Sequence, residues 1–330
     1  MSEFDLIKAI RDRLGGPGLG TLIGPGDDAA VYEPPGVLEL LTCDAFVEGV
    51  HFLTEHSSFR DIGAKCMVAN ISDVAAMGGV PSKAVVSLCV PPYVSESDVT
   101  EFFEGALEVC EAYGAEIVGG DIVSSQSAFM VSVALVGAVD SDRVITRSGA
   151  VPGDALVVTG ELGGSEVGLL SMKAGLPRDE DVDSARQRHL RPVPRVAEAR
   201  AVMQVATPHA MIDLSDGLSS DLLHIADESG VGVVLESSLI PIAACATAVS
   251  DRLGQDPVEM ALGSGEEFEL LIALPESETD RASEHVMAVT GTRLTRIGYV
   301  TAAGEGRNLL RTDGSTVALV PSGYEHLSGS

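Results

Sequence analysis

The sequence has no tryptophan, and aromatic residues make up only 4% of its 330 residues, although 45% of the residues are apolar. A hydrophobic core must therefore be built mainly from aliphatic side chains, and a chain of this length can form two domains of ordinary size. This apolar content is typical of a folded protein. No run approaches 18 consecutive apolar residues, so the sequence predicts no transmembrane helix.

Basic residues are scarce, because 21 Lys and Arg stand against 49 Asp and Glu, and the formal net charge is −28. A nucleic acid needs a basic surface, so this balance excludes nucleic acid as an expected partner. An anionic membrane surface is excluded for the same reason. Most of the acidic residues are expected to be solvated surface groups. A subset of them is expected to bind divalent cations.

The five cysteines are dispersed and form no C-x-x-C pair, which is typical of reduced thiols in a cytoplasmic protein. The N-terminal segment MSEFDLIKAIRDRLGG carries charges throughout, and its apolar residues recur at helical spacing. This pattern predicts an amphipathic helix and not a signal peptide. We therefore expect a cytoplasmic location.

The common nucleotide-binding motifs are missing. No Gly-Lys dipeptide occurs, so there is no P-loop, and neither G-x-G-x-x-G nor the kinase motifs H-R-D and D-F-G are found. A bound nucleotide would have to be held through metal ions and glycine amides, as at Gly119 and Gly120. Arg147 is a cation that could meet a phosphate, and a surface salt bridge is its alternative interpretation.

Apolar β-rich runs alternate with helical patterns, which predicts mixed α and β layers in both halves of the chain. The segments expected to be strands include 37–44, 82–92, 115–121, 127–139 and 154–160, and the helices include 59–79 and 95–114. Residues 140–153 are polar and rich in turn formers. We therefore predict an N-terminal domain over 1–147 and a C-terminal domain over 148–330.

Aspartates recur where apolar elements end. The segment GPGDDAAV places Asp27 and Asp28 side by side after a Gly-Pro-Gly bend, and five further aspartates occupy similar positions: Asp44, Asp73, Asp121, Asp213 and Asp216. Each alone could be a turn or helix-cap residue. Asp73 differs, because a carboxylate on a small-residue helix face needs a partner or a metal ion. Oxygen ligands without clustered His or Cys favour Mg²⁺, shared with a phosphorylated ligand.

Taken in order, the motifs resemble those of the thiamine-monophosphate kinase family, in the aminoimidazole-ribonucleotide-synthetase-like superfamily. The stretches that carry the resemblance are GPGDDAAV, TCDAFVEGVHF, NISDVAAMGG, IVGGD, ITRSGAVPGD, HLRPVPR, IDLSDGLSSDL, GSGEEFELL and GYEH. They run from residue 24 to residue 326. The resemblance implies a two-domain α/β (mixed α+β) fold whose N-terminal strands pair with those of a second subunit in a homodimer.

The resemblance also implies an activity. The family transfers a phosphoryl group from ATP to thiamine monophosphate, giving thiamine diphosphate, by direct in-line transfer with several Mg²⁺ ions and no residue acting as acid or base. By motif position, the implied Mg²⁺ ligands are Asp28, Thr42, Cys43, Asp44, Asp73, Asp121, Asp213 and Asp216. The implied ATP contacts are Tyr113, Gly120, Asp121, Arg147 and Ser215. The implied contacts to thiamine monophosphate are His51, Glu266 and Tyr324.

Two motifs depart from the family pattern. Cys43 stands where Thr or Ser is usual, and a thiol is a poor Mg²⁺ ligand, so only its carbonyl could serve. The run from Ser264 to Phe268 replaces Gly-Gly-Glu-Asp-Tyr. The alternatives to the kinase are another ATP-using member of the superfamily (aminoimidazole ribonucleotide synthetase, selenophosphate synthetase or the hydrogenase-maturation type) and a non-catalytic acidic module that binds Mg²⁺ or Ca²⁺. His51 and Tyr324 could equally be packing or surface residues.

Overall fold

The computed structural model of the protein describes residues 21–23, 30–32, 38–140 and 143–324. The predicted N-terminal helix and the predicted ligand Asp28 lie outside the described residues. Within them, the chain forms two β-sheets, one from each half, and the mixed α/β class expected from the sequence is confirmed.

The first sheet has six strands in the order β1-β2-β3-β6-β4-β5. Its strands are β1 Thr21–Ile23, β2 Ala30–Tyr32, β3 Leu38–Val47, β4 Val80–Val90, β5 Glu116–Ser124 and β6 Met130–Val139. All neighbouring pairs are antiparallel except β4 and β5, which are parallel. The strand order places β5 at one edge of the sheet.

Two helices, α1 Phe59–Ala76 and α2 Glu96–Tyr113, belong to this half. Ser95 and Asp98 form a capping box at the start of α2, and Gly114 ends the helix in the left-handed region. α1 and α2 cross at two glycines, Gly63 and Gly105. A Cβ on Gly63 would lie 1.9 Å from the Phe102 carbonyl oxygen, and a Cβ on Gly105 would lie 1.8 Å from the Arg60 carbonyl oxygen. Close approach of the two backbones is possible only because these positions lack side chains.

The two faces of the first sheet have different environments. Alternate residues of β3, β4 and β6 are buried against the helices, as period-two alternation requires. The opposite face, called here the outer face, carries the exposed side chains Leu41, Cys43, Val85 and Met130. An exposed apolar face of this kind is a common feature of protein interaction surfaces.

The second half forms a seven-stranded sheet in the order β13-β12-β9-β11-β7-β10-β8. Its strands are β7 Asp154–Thr159, β8 Ala210–Asp213, β9 Gly232–Glu236, β10 Leu270–Pro275, β11 Leu294–Thr301, β12 Arg307–Leu310 and β13 Thr316–Ala318. Its helices are α3 Gly164–Lys173, α4 Glu180–Leu190, α5 Val196–Val205, α6 Leu218–Ser229, α7 Ala244–Leu253, α8 Pro257–Gly263 and α9 Thr279–Thr290.

α1 is the element that joins the halves. It packs on β3, β4 and β6 on one side and contacts β8, α4 and α5 on the other. Residues from Ile62 to Ala76 are consequently buried on almost every side of the helix. The small residues of this helix allow that packing, since bulky side chains would hold the two halves apart.

The observed bounds are close to the predicted ones, with local differences. The strand predicted over 37–44 continues to Val47, and the strand predicted over 115–121 continues to Ser124. α4 is rich in charged residues, with three acidic residues in its first turn and two basic ones in its last turn. None of the helices in the described ranges combines the length and apolar composition that a membrane span needs. The exact boundary between residues 147 and 148 remains a prediction.

Candidate active site

A cavity of about 540 Å³ lies between the two halves of the chain. Four of the predicted metal ligands line it, two from each half: Asp44, Asp73, Asp213 and Asp216. Ser215 and all three predicted substrate contacts line the same cavity. Segments far apart in the sequence are thus brought to one place by the packing of α1 against β8.

The first-half carboxylates lie on the helix-covered side of the first sheet. Asp44 is on β3, and Asp73 is on α1 in the last turns of the helix. The buried hydroxyl of Thr42 donates a short hydrogen bond to Asp73 Oδ2. Thr42 does not itself line the cavity, so in this chain it orients Asp73.

The second-half carboxylates flank the turn between β8 and α6. Asp213 is buried at the end of β8 and accepts a 2.6 Å hydrogen bond from the Ser72 hydroxyl. The backbone amides of Asp216 and Gly217 donate to Asp221 Oδ2 at 3.2 and 3.1 Å. Asp221 was not among the predicted site residues, although its position five residues after Asp216 could have suggested a cap for α6.

The pKa of Asp221 is shifted by the charged residues around this turn. Burial raises the pKa of its carboxyl well above the usual value, and the negative charges of Asp216 and Asp213 raise it further. The positive charge of Arg147 opposes that shift. Arg147 therefore lies close enough to act on the acidic turn, although it does not line the cavity. Oxygens of Asp216 and Asp221 and a ring nitrogen of His224 lie within 4.8 Å of one another.

His51 and Tyr324 lie at other points of the cavity wall. His51 Nδ1 accepts a 3.0 Å hydrogen bond from the Val47 amide, so the proton of the neutral ring is on Nε2. The ring meets Phe46 edge-on, with centroids 5.7 Å apart. Tyr324 is held because its amide donates a 3.1 Å hydrogen bond to the Asp216 carbonyl. The backbone at Tyr324 is thus anchored at the acidic turn.

Residues 264–268, called here the 264–268 loop, carry the third predicted substrate contact. Glu266 and Phe268 have φ values of 56° and 53°, in the left-handed region that residues with side chains rarely adopt. Backbone bonds hold this shape: the Glu266 amide donates to the Ser215 carbonyl at 2.8 Å and the Phe268 amide to the Leu214 carbonyl at 2.9 Å. Strained backbone that the surroundings fix in this way is common at functional sites.

Sequence reasoning missed the basic residues behind this loop. Lys65 on α1 is buried, and its Nζ lies 2.5 Å from Glu266 Oε2 and 3.3 Å from His189 Nε2. His189 itself lines the cavity. A lysine in the apolar middle of the helix and a histidine in the HLRPVPR motif were the available signals.

Two further buried carboxylates support the loop. Glu267 Oε1 accepts hydrogen bonds from the Ser264 hydroxyl at 2.6 Å and from the Ser165 amide at 3.1 Å. Burial raises the pKa of Glu267 to about 7, against the lowering effect of those bonds. Glu269 is paired with Arg195, whose Nη2 lies 2.5 Å from Oε1. The loop is therefore fixed by one buried acid within it, Glu267, and by another that directly follows it, Glu269.

Six of the predicted residues in the described part of the chain do not line this cavity: Thr42, Cys43, Tyr113, Gly120, Asp121 and Arg147. Asp121 is exposed on β5, where the register pairs it with Ser87 on the outer face. The adjacent residue Gly120, also on β5, lies three strands across the sheet from Asp44 on β3. At the usual strand spacing this is a separation of about 14 Å. Cys43 is exposed on the outer face, with Sγ 3.6 Å from the Ser132 hydroxyl.

Gly120 and Tyr113 have structural explanations in the single chain. A Cβ on Gly120 would lie 1.9 Å from the Val86 carbonyl oxygen, so the contact between β4 and β5 requires glycine there. Tyr113 is partly buried at the end of α2, packed against the core of the first half. Burial raises the pKa of its hydroxyl. Neither residue lines the cavity.

The family comparisons agree with the two-sheet division. The model of the AIR synthase related protein, N-terminal domain, matches residues 26–139, and that of the AIR synthase related protein, C-terminal domain, matches residues 151–309. Among curated proteins, the chain is 37% identical to the thiamine-monophosphate kinase of Bacillus subtilis over 99% of both chains. It is 34% identical to that of Escherichia coli K12, over 99% of this chain and 98% of the relative.

Solved structures are also similar to this chain over nearly its whole length. AaThiL complexed with AMPPCP and TMP superposes with a TM-score of 0.85 at 33% identity, covering 99% of this chain and 97% of that chain. The hydrogenase maturation protein HypE in complex with ATP has a TM-score of 0.74 at 21% identity, covering 91% of this chain and 89% of that one. The second likeness concerns the fold alone.

Proposed function

The chain belongs to the thiamine-monophosphate kinase family of the AIR synthase-related proteins, and we propose on this premise that it transfers the terminal phosphoryl group of ATP to thiamine monophosphate. The product is thiamine diphosphate, and ATP is the co-substrate. The observation that carries the proposal is the single cavity in which four predicted metal ligands and three predicted substrate contacts lie together.

The acceptor in this reaction is itself a phosphate. The second pKa of a phosphate monoester is near 6, so the attacking oxygen is already largely deprotonated at neutral pH and needs no general base. His51 fits this requirement, because its Nδ1 is occupied by the Val47 amide and its Nε2 is a hydrogen-bond donor. The task of the site is to bring two anions together, which is a problem of electrostatics and position.

The donor set fits Mg²⁺. Asp44, Asp73, Asp213 and Asp216 offer carboxylate oxygens without a thiolate, which is the ligand chemistry that Mg²⁺ prefers. These four residues would hold several ions, and Asp28 belongs to the same proposed set. Bound Mg²⁺ would neutralise phosphoryl oxygens and stabilise the charge of the transition state. Thr42 orients Asp73, and Cys43 could contribute only its carbonyl.

The organic part of the substrate would meet the other walls. His51 can donate a hydrogen bond from Nε2, and Glu266 can accept one. Phe46, Val50 and Phe268 add apolar surface suited to flat heteroaromatic rings. Tyr324 stands where its ring could cover a bound ligand.

ATP would contact the acidic turn and the edge of the first sheet. Ser215 lines the cavity, and Arg147 places a positive charge near Asp221. Gly120, Asp121 and Tyr113 remain in the proposed set of ATP contacts, and Asp121 also remains a proposed Mg²⁺ ligand. Since these three lie outside the cavity of one chain, the proposal requires a second copy to bring Asp121 to it.

A homodimer is therefore part of the proposal. The outer face exposes apolar side chains such as Leu41, Val85 and Met130, and one edge of β5 pairs with no other strand of the described residues. A second copy would cover both features, which otherwise favour aggregation. A cytoplasmic location is also proposed, supported by the five free cysteines, which are typical of a reducing compartment.

A coupled assay of ADP release tests the activity. We expect release with ATP, Mg²⁺ and thiamine monophosphate, loss of release when a chelator is added, and thiamine diphosphate in equal amount to ADP. Thiamine without its phosphate serves as the control acceptor. ADP release with selenide or a purine precursor, but not with thiamine monophosphate, would assign the chain to another superfamily activity. Metal-dependent melting without ATP turnover would indicate a non-catalytic metal-binding module.

A further inference from the structure

A buried cation stands directly behind the predicted substrate carboxylate. The Lys65 side chain is 6% exposed, and its Nζ lies 2.5 Å from Glu266 Oε2. Lysine is rarely buried to this degree unless it is paired, because desolvating its charge is costly. Lys65 does not line the cavity, whereas Glu266 does. The ammonium group therefore acts on the carboxylate from the protein side.

His189 completes the group as a hydrogen-bond acceptor. The Lys65 ammonium can only donate, so His189 Nε2, at 3.3 Å, must accept, and the ring proton is on Nδ1. Nδ1 lies 3.1 Å from the Ser165 hydroxyl, to which it can donate. Burial lowers the pKa of His189 well below its usual value, as do the nearby charges of Lys65 and Lys173, in agreement with a neutral ring. The ammonium thus has partners on both sides.

The three side chains come from three separate segments. Lys65 is on α1 of the first half, His189 is in α4, and Glu266 is in the 264–268 loop. The left-handed backbone at Glu266 is already fixed by its bond to the Ser215 carbonyl. Only the side-chain torsions remain to be set, and the bond from Lys65 to Oε2 sets them. Within the described part of the chain, Glu266 Oε1 makes no hydrogen bond, which leaves it to accept one from a ligand.

We propose that Lys65 is a positioning residue that holds the Glu266 carboxylate turned into the cavity, so that the contact between the two halves of the chain sets the affinity for the phosphate acceptor. This inference rests on the proposed function and adds to it a residue that never touches the substrate. It predicts that removing the ammonium weakens acceptor binding while leaving ATP binding and the chemical step almost unchanged.

The test compares Lys65→Met with Arg191→Met. Arg191 is a matched control because it also bridges the halves, with Nε 2.5 Å from Asp61 Oδ1 and Nη1 3.1 Å from Glu108 Oε2, and it does not line the cavity. We expect Lys65→Met to raise the KM for thiamine monophosphate at least about tenfold, with kcat and the KM for ATP within about twofold of the wild type. Arg191→Met should lower the melting temperature and leave all three constants nearly unchanged. An unchanged acceptor KM in a folded Lys65→Met variant overturns the proposal.

A second pair of variants covers the case in which Lys65→Met does not fold. Glu266→Met and Lys65→Met/Glu266→Met both lack the carboxylate, and the double variant leaves no unpaired buried charge. If Lys65 acts only through Glu266, the two should show the same acceptor KM. A further increase of more than about threefold in the double variant would mean that Lys65 acts on the substrate by itself, against the proposal. Absence of turnover in the wild type would instead refute the proposed function and not this inference.

Discussion

The Ser72 hydroxyl donates a 2.6 Å hydrogen bond to Asp213 Oδ2 across the boundary between the two halves of the chain. Both side chains are buried. Because Asp73 is the next residue on α1, this bond ties the helical turn that carries Asp73 to the strand end that carries Asp213. Two predicted metal ligands from different halves are thereby fixed relative to each other.

Asp213→Asn should abolish most turnover without unfolding the protein. The amide oxygen of Asn can still accept the bond from Ser72, so the junction is kept while one negative charge is lost. We expect kcat to fall by about 100-fold or more, as for other groups that stabilise a charged transition state. Asp280→Asn, at an exposed position in the first turn of α9, is the control and should leave kcat unchanged. Near-normal turnover of Asp213→Asn at saturating Mg²⁺ would contradict the metal assignment.

Asp121→Asn should likewise leave the fold intact and reduce turnover by about two orders of magnitude. Asp121 is exposed on β5 and paired in register with Ser87, so no buried contact depends on its charge. The measurement is kcat, alongside a thermal melt. A variant that keeps near-normal turnover at saturating Mg²⁺ would remove Asp121 from the site.

Hybrid dimers test where Asp121 acts. If it completes the site of a second copy, mixing Asp121→Asn with Asp73→Asn should restore about a quarter of wild-type activity, because half of the dimers are hybrids and one of their two sites is intact. If Asp121 acts within its own chain, every hybrid site carries one substitution and mixing restores nothing. The subunits must be exchanged under mild denaturant and refolded before the assay.

Gly119 and Gly120 are a matched pair for testing whether the contact between β4 and β5 requires a glycine. A Cβ on Gly120 would lie 1.9 Å from the Val86 carbonyl oxygen, whereas one on Gly119 would meet nothing nearer than Val85 Cγ1 at 3.9 Å. We expect Gly120→Ala to lower the free energy of unfolding by about 1–3 kcal/mol and Gly119→Ala to change it little. Equal stabilities in urea unfolding would show that the Gly120 backbone is not constrained.

Four of the aspartates that the sequence singled out at the ends of apolar elements, Asp44, Asp73, Asp213 and Asp216, line the cavity, and their role as metal ligands stays a prediction. Asp73 was the clearest case, since a carboxylate on a small-residue helix needs a partner, and Thr42 supplies one. The fold class followed from the alternation of apolar β-rich runs with helical patterns. These features depend on local pattern, which a single sequence records.

The remaining features depend on which segments meet, and local pattern does not record that. Lys65 could be noticed as a cation in an apolar helix, but its partner is 201 positions away in the sequence. Asp121 resembled the other aspartates in sequence, yet the register of the first sheet places it on the outer face. The strand order of this sheet, with β6 between β3 and β4, also places β5 three strands away from the strand that carries Asp44.

Glu267 should make the stability of the protein depend on pH near neutrality. Burial raises the pKa of its carboxyl from 4.5 to about 7, so between these values the folded state keeps a proton that the unfolded chain has released. The free energy of unfolding should therefore fall as the pH rises through this range, by at most about 3 kcal/mol. Glu267→Gln can still accept the bonds from Ser165 and Ser264 but cannot titrate, so urea unfolding from about pH 5 to about pH 8 should show a flatter dependence for this variant. Parallel pH profiles for the two proteins would show that Glu267 is ionised in the folded state.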